Sequence, residues 1–291
     1  MTFANPIALP GTRKFVDTAF GRIAVQDVGS GPAALFVHGA MLNGDQWRHQ
    51  LSGLSDVRRV IAPDSLGMGH TEARPDQPLG MNNQAAMLRA LLDALQIDRV
   101  DLVGNDSGGG AAQVFAANNP GRVRTLALTN CEVDDYDEDA PASARLRAQV
   151  ESGMLVKILR AASDNPAIGR KALAVAYEDV RALPDELVLG YLRPLVQSEE
   201  RIRQLLRYFA ATTKRDLVAV REQLRKLPAP TLVLWGTSDD FFDVKWARWL
   251  EVNLPDVTEV VELAGAKVFW PEERPDFLNA KLRAHWAAHG A

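Results

Sequence analysis

At 291 residues and 47% hydrophobic content, the chain is long enough for one large α/β domain or two smaller ones around a real core. Its formal net charge of −4 comes from well-mixed signs with no basic run to track phosphates, so nucleic acid is not an expected partner. The single cysteine, Cys131, excludes an internal disulfide and a Cys-based metal site. Residues 1–6 lack a basic start followed by an apolar block, and no stretch reaches the roughly 18 apolar residues of a membrane span. The expectation is a cytoplasmic protein with no membrane partner.

In chain order, residues 13–17 and 22–28 alternate around Ala19-Phe20-Gly21, which predicts an antiparallel hairpin. The uninterrupted apolar run Ala34-Leu35-Phe36-Val37 predicts a strand buried on both faces, ending in His38-Gly39-Ala40. Helical spacing through Trp47, Leu51 and Leu54 leads to a strand at Val60-Ile61-Ala62 and then to the turn-rich run 63–71. A helix over 83–95 carries Met87, Leu88, Leu91, Leu92 and Leu95 on one face. Another strand, 123–128, runs into Thr129-Asn130-Cys131-Glu132.

Residues 134–140 are acidic and predict a surface loop. From about 142 to 226 only helical periodicity follows, broken at Asn165-Pro166 and Leu183-Pro184-Asp185. A strand at 231–236, a helix at 244–254, a strand at 258–263 and a helix at 275–288 complete the chain. This predicts an α/β core from residues 1–133 and 228–291 and an all-helical cap from 134–227. Such alternation implies a doubly wound, mostly parallel sheet with its site at the carboxyl ends of the strands.

The stretch Val100-Asp101-Leu102-Val103-Gly104-Asn105-Asp106-Ser107-Gly108-Gly109-Gly110 organises the rest. An apolar strand reaches Gly104 and a helical pattern opens at Gly108, which predicts a sharp strand-to-helix turn with Asp106 at its apex. Gly104 and Gly108 stand two residues either side, where a tight elbow leaves no room for side chains. Asp is also a favoured N-cap residue, so the same position is open to a purely structural reading. Ser107 at the apex would place Asn105 where a small residue is needed.

The strand followed by His38-Gly39, then Asp64-x-x-Gly67-x-Gly69-x-Thr71, Gly104-x-Asp106-x-Gly108, a helical cap and Trp235-Gly236-x-x-Asp239 together resemble the α/β-hydrolase fold. Asp rather than Ser at the elbow resembles the branch containing haloalkane dehalogenases, epoxide hydrolases and fluoroacetate dehalogenases. The resemblance implies Asp106 as nucleophile and the backbone N–H groups of Ala40 and Ser107 as oxyanion donors beside the His38-Gly39 motif. Asp239 and Glu132 match two positions used for the catalytic acid. The loop that carries a histidine in that superfamily reads Ala264-Gly265-Ala266-Lys267-Val268-Phe269-Trp270 here, with Lys267 or Val268 at its place. Lys267 becomes the candidate base, since a desolvated lysine has a lowered pKa, with a solvated loop lysine as the alternative reading of the same position. His38 is expected to be structural and His49 and His70 have no motif-level claim, though any of the three stays open as a substitute base; His285 and His289 fall on the terminal helix.

Ser107 and Ala40 replace the Trp and Asn that cradle halide in the dehalogenases, leaving Trp47, Trp235 or Trp270 as candidate donors. Tyr177, Tyr191 and Tyr208 lie in the cap and are candidates to protonate an opening epoxide. Arg201, Arg203 and Arg207, near Glu199 and Glu200, read as a solvated helix face. A carboxylate with an ordinary pKa near 3.9 is already charged at neutral pH and attacks carbon without a base. The expected activity is hydrolysis of a small, mainly apolar electrophile through an Asp106 ester, with a small-molecule substrate, no metal and no organic cofactor. A lyase, cyclase or isomerase in the same pocket, or a binding protein that has lost turnover, stays open, as does a homodimer.

Overall fold

The computed structural model describes residues 13–138 and 140–290. Met1 to Pro6 and Asp139 of the acidic loop lie outside them. Eight strands form a single sheet in the order β1-β2-β4-β3-β5-β6-β7-β8. They are β1 (Lys14–Thr18), β2 (Gly21–Val28), β3 (Ala33–Val37), β4 (Arg59–Pro63), β5 (Val100–Asp106), β6 (Val123–Cys131), β7 (Thr231–Gly236) and β8 (Val257–Leu263). The β1–β2 hairpin and the β2–β4 pair are antiparallel, and every other pairing is parallel. The expected α/β class, a doubly wound and mostly parallel sheet, is what the chain adopts.

Strand β3 shows why an uninterrupted apolar run suits its centre. Side chains alternate across a strand, and here Ala33, Leu35 and Val37 enter one core while Ala34 and Phe36 enter the other. Helices α2 (Met81–Ala94) and α3 (Ser107–Asn118) cover the first face, with Met87, Leu88, Leu91 and Leu92 of α2 buried as their spacing predicts. The second face is closed by α1 (Arg48–Gly53) and, beyond the cap, by the terminal helix. There Phe36 meets Trp47 and Trp286 at ring-centroid distances of 5.2 and 6.4 Å. Each fully buried side chain of this size contributes roughly 1.5–3 kcal/mol.

Between β6 and β7 the chain is helical, through α4 (Pro141–Glu151), α5 (Met154–Ala162), α6 (Pro166–Leu173), α7 (Asp185–Val196), α8 (Glu199–Ala211), α9 (Arg215–Ala219) and α10 (Arg221–Leu224). After β7 come α11 (Lys245–Asn253), α12 (Trp270–Glu273) and α13 (Pro275–His289). Among the described residues no helix is long and apolar enough to cross a membrane.

Arg201 of α8 departs from the solvated face its neighbours suggested. It is 2% exposed and donates to the carbonyls of Pro194 (3.0 Å), Thr71 (2.8 Å) and Gly69 (2.8 Å) and to Gln204 Oε1 (2.9 Å). Those bonds replace the water it gave up and tie the cap helix to the loop after β4. Gln204 adds a bond to the Ala73 carbonyl at 2.7 Å. Arg203, one residue from this side of the helix, is exposed and pairs with Glu200.

Candidate active site

The strand β5 to helix α3 junction holds Asp106 at φ 53°, ψ −135°, a backbone conformation that costs a non-glycine residue on the order of 1–3 kcal/mol. The turn closes only because its flanks are bare. A Cβ at Gly104 would lie 2.7 Å from the Gly108 carbonyl, and one at Gly108 would lie 2.3 Å from the Val37 carbonyl. Asp106 does not use its carboxylate to cap α3. Instead Oδ2 accepts the Ala40 N–H at 2.7 Å, and the Ser107 N–H also holds the carboxylate.

The loop bearing Ala40 is aligned by Gln46, whose Oε1 accepts the Gly39 N–H at 2.9 Å while its Nε2 donates to Asn105 Oδ1 at 2.6 Å. Asn105 in turn donates to the carbonyls of Thr129 and Val268 at 3.2 and 2.8 Å. Asn105 is therefore a buried tie between strands, and the apex belongs to Asp106 rather than Ser107. His38 is buried with both ring nitrogens occupied: the Ser65 N–H donates to Nε2 at 2.9 Å, so Nδ1 donates to the Gly39 carbonyl at 2.8 Å. Burial lowers its pKa, in keeping with this neutral form.

In register, Asp106 stands opposite Cys131, so the next residue, Glu132, leaves the neighbouring strand beside the elbow. Asp239 follows β7 at the same end of the sheet. Asp239 accepts from Asn130 Nδ2 at 2.8 Å and from the Phe241 N–H at 2.9 Å. Burial pushes Asp106 up to about 7, opposed by the Ala40 N–H and reinforced by the charge of Asp239. Burial likewise pushes Asp239 up to about 7 against its Phe241 and Asn130 bonds. Glu132 is raised by burial and then by the charge of Asp106.

Asp106, Ser107, Ala40 and Glu132 line a cavity of about 530 Å³ roofed by the cap. Leu146 and Val150 of α4, Leu173 of α6, Tyr208 and Phe209 of α8, and Phe241, Phe242, Val268 and Phe269 of the core loops give it an apolar wall, with Glu138, Ser143, Arg147, Glu151, Thr212 and Thr213 also on the lining. Tyr208 donates its hydroxyl to Ser107 Oγ at 2.7 Å. Tyr136, in the acidic loop after β6, also lines the cavity; its place in that loop held no signal of this. Among the described residues no His, Cys, Asp and Glu cluster is placed to hold a metal ion.

Several sequence candidates are drawn elsewhere. Lys267 does not line the cavity; its ammonium reaches the Val175 carbonyl at 3.3 Å and Asp240 at 3.2 Å, and Val268 is the residue on the wall. Tyr177 and Tyr191 both donate to Glu272, at 2.5 and 2.8 Å, where Arg48 also pairs with it. Their hydroxyls serve a buried ion pair and are not free for a substrate oxygen. Trp47 lies in the second core, and Trp270 donates to Asn130 Oδ1 at 3.1 Å behind Asp239. Trp235 donates to the Phe242 carbonyl at 3.0 Å. Among the described residues no tryptophan and no histidine lines the cavity.

With strand order, elbow and capped cavity in place, the family comparison is decisive: the alpha/beta hydrolase fold family matches residues 32–272. The chain belongs to this family. The hydrolase is 30% identical over 288 residues to haloalkane dehalogenase 2 of Mycobacterium bovis, a match covering 96% of each chain. It is 43% identical over 107 residues to 2-hydroxy-6-oxo-2,4-heptadienoate hydrolase of Pseudomonas putida, covering 36% of this chain and 39% of that one. The solved structure of the unliganded epoxide hydrolase CorEH superposes with a TM-score of 0.79 at 22% identity, covering 95% of this chain and 99% of that one. The hydrolase thus has relatives in more than one branch of the family, and the structural likeness concerns the fold.

Proposed function

We propose that this hydrolase attacks a small, mainly apolar electrophile at carbon with Asp106 and releases product by hydrolysing the resulting Asp106 ester. The observation that carries the reading is the Asp106 carboxylate itself, presented to an apolar cavity by a strained elbow with one oxygen held by the Ala40 N–H at 2.7 Å. That oxygen is oriented, leaving the other for in-line attack on an sp³ carbon. Once the ester forms, the same N–H groups of Ala40 and Ser107 face the oxygen on which negative charge develops as water attacks the ester carbon. The bond from carbon to leaving group breaks as the bond to Asp106 forms. Water then splits the ester bond at the Asp106 carbonyl carbon, returning the carboxylate and an alcohol.

Of the two electrophiles this chemistry serves, an epoxide suits the lining better than a haloalkane. Trp and Asn cradle the departing halide in the dehalogenases that this chain resembles, and among the described residues neither type lines the cavity. An opening epoxide oxygen takes a proton, and Ser107, Tyr136, Tyr208 and Glu132 are among the hydroxyl and carboxyl groups on the wall.

Single turnover in heavy-oxygen water tests the route. The Asp106 peptide is expected to gain the label while the first product molecule carries the old Asp106 oxygen. Label in the product with none in Asp106 would mean direct attack by water and end the covalent reading. The attacking form is the carboxylate, so the alkylation rate is expected to rise with pH through about 7.

A further inference from the structure

An Asp106 ester needs a base for its second step, yet the wall carries no histidine and Lys267 points away from it. One group on the wall is conspicuously idle. Glu132 is 5% exposed, lines the cavity beside the elbow, and its Oε2 has no hydrogen-bond partner among the described residues. Buried carboxyl oxygens are nearly always paired, so a cavity-lining carboxyl with one oxygen left unpaired retains the capacity to hold a proton. Its backbone carbonyl is anchored by Gln113 Nε2 at 2.7 Å, and a Cβ at Gly110 of α3 would lie only 3.3 Å from Oε2. The carboxyl is therefore held between α3 and the cavity.

We propose that Glu132 is the general acid and base of the reaction: it protonates the leaving oxygen of an epoxide while Asp106 attacks, then takes a proton from the water that hydrolyses the ester. The inference rests on Asp106 as nucleophile. In the resting site Asp106 is charged and Glu132 holds the proton. Attack forms the Asp106–carbon bond and breaks the ring carbon–oxygen bond, and the ring oxygen receives the Glu132 proton. The ester is neutral, so the Asp106 charge that opposed ionisation of Glu132 is gone at the moment Glu132 becomes a carboxylate. Water then gives a proton to Glu132 as its oxygen bonds the ester carbon. Collapse expels the alkoxide, which takes that proton, and Asp106, left protonated, passes its proton to Glu132, which restores the resting state.

The titratable groups whose charges act on Glu132 or feel it are consistent with this exchange. Asp106 comes from the elbow, Cys131 precedes it on β6, Tyr136 comes from the following loop and Tyr208 from α8. Burial raises the thiol and both phenols, leaving Asp106 as the partner whose charge changes during the cycle.

Two probes separate the roles, because bromide leaves without a proton and an epoxide oxygen does not. With butylene oxide, Glu132→Gln is expected to lower kcat by about 10²–10⁴-fold. With butyl bromide, the same variant is expected to accumulate one butyl group on Asp106, seen by intact mass and peptide mapping, whereas the wild type does not. Formate is expected to speed loss of that adduct from Glu132→Ala, a rescue that a merely structural role would not produce. Wild-type epoxide turnover by Glu132→Gln, or equal adducts in both proteins, would overturn the role of Glu132. If Asp106→Ala is then inactive, the nucleophile stands; if Asp106→Ala still turns over, or the wild type acts on neither probe, both readings fall.

Discussion

Two buried glutamates divide this molecule into a part that holds and a part that reacts. Glu272, in α12, is 4% exposed, and Arg48, Tyr177 and Tyr191 all point their donors at it. Glu132, 5% exposed just after β6, lines the cavity and has a buried oxygen with no partner. Burial is nearly equal, so burial does not separate the roles; the partners do. A carboxylate met by a cation and two hydroxyls is a closed structural unit, and it consumes the cap tyrosines that the sequence offered for chemistry. A carboxyl with a free oxygen retains the capacity to exchange a proton.

The comparison is sharpened most by removing the nucleophile. Asp106→Ala is expected to lower turnover by on the order of 10⁶-fold, as loss of a covalent nucleophile does elsewhere, with the circular dichroism spectrum unchanged. Next in size, Glu272→Gln leaves Arg48 buried without its countercharge and is expected to cost about 3–5 kcal/mol, read as a fall in the urea midpoint. Glu132→Gln, by contrast, removes no pairing and is expected to leave that midpoint at or above wild type. A fall equal to that of Glu272→Gln would erase the distinction.

The pH dependence of stability gives a third handle. Asp106 and Asp239 titrate near 7 in the folded chain against about 3.9 when unfolded, so the native state binds their protons more tightly. The stability this confers is complete below about pH 4 and is lost as pH rises through 7. The Tm is expected to fall from pH 5 to pH 8, and Asp106→Asn is expected to flatten that slope. A smaller effect is expected from Tyr208→Phe, which removes the hydrogen bond to Ser107 and should lower kcat by roughly 2–10-fold, the worth of one such bond. Least of all, Lys267→Ala breaks a half-exposed pair with Asp240 and one long bond to the Val175 carbonyl and is expected to change stability by about 1 kcal/mol, with turnover unaffected.

The loop around Lys267 and Val268 shows where reading the chain reached its limit. A one-residue gap separates an ammonium in the cavity from an isopropyl group there, and local pattern carries no preference between them. The backbone resolved it through long-range bonds: Asn105 takes the Val268 carbonyl and the Phe269 N–H donates to the Ala176 carbonyl at 3.0 Å. With the backbone so held, Val268 faces inward. Arg201 is a similar case, since the charged residues around it in sequence are solvated while it reaches the Gly69 and Thr71 carbonyls, 132 and 130 residues away, across the cap boundary.

The sequence by itself determined what depends on neighbours along the chain. The β3 run, the amphipathic α2 and the elbow glycines follow from period, apolar content and the room a tight turn requires, so the sheet class and the exposure of Asp106 were readable from the residues. Tertiary structure decided which polar groups meet. Tyr177 and Tyr191 were given to Glu272, Trp270 to Asn130, and nothing to Glu132 Oε2. The reason is physical: a hydrogen bond is satisfied or left open by atoms brought together from distant segments, and no local pattern encodes which oxygen will be left over.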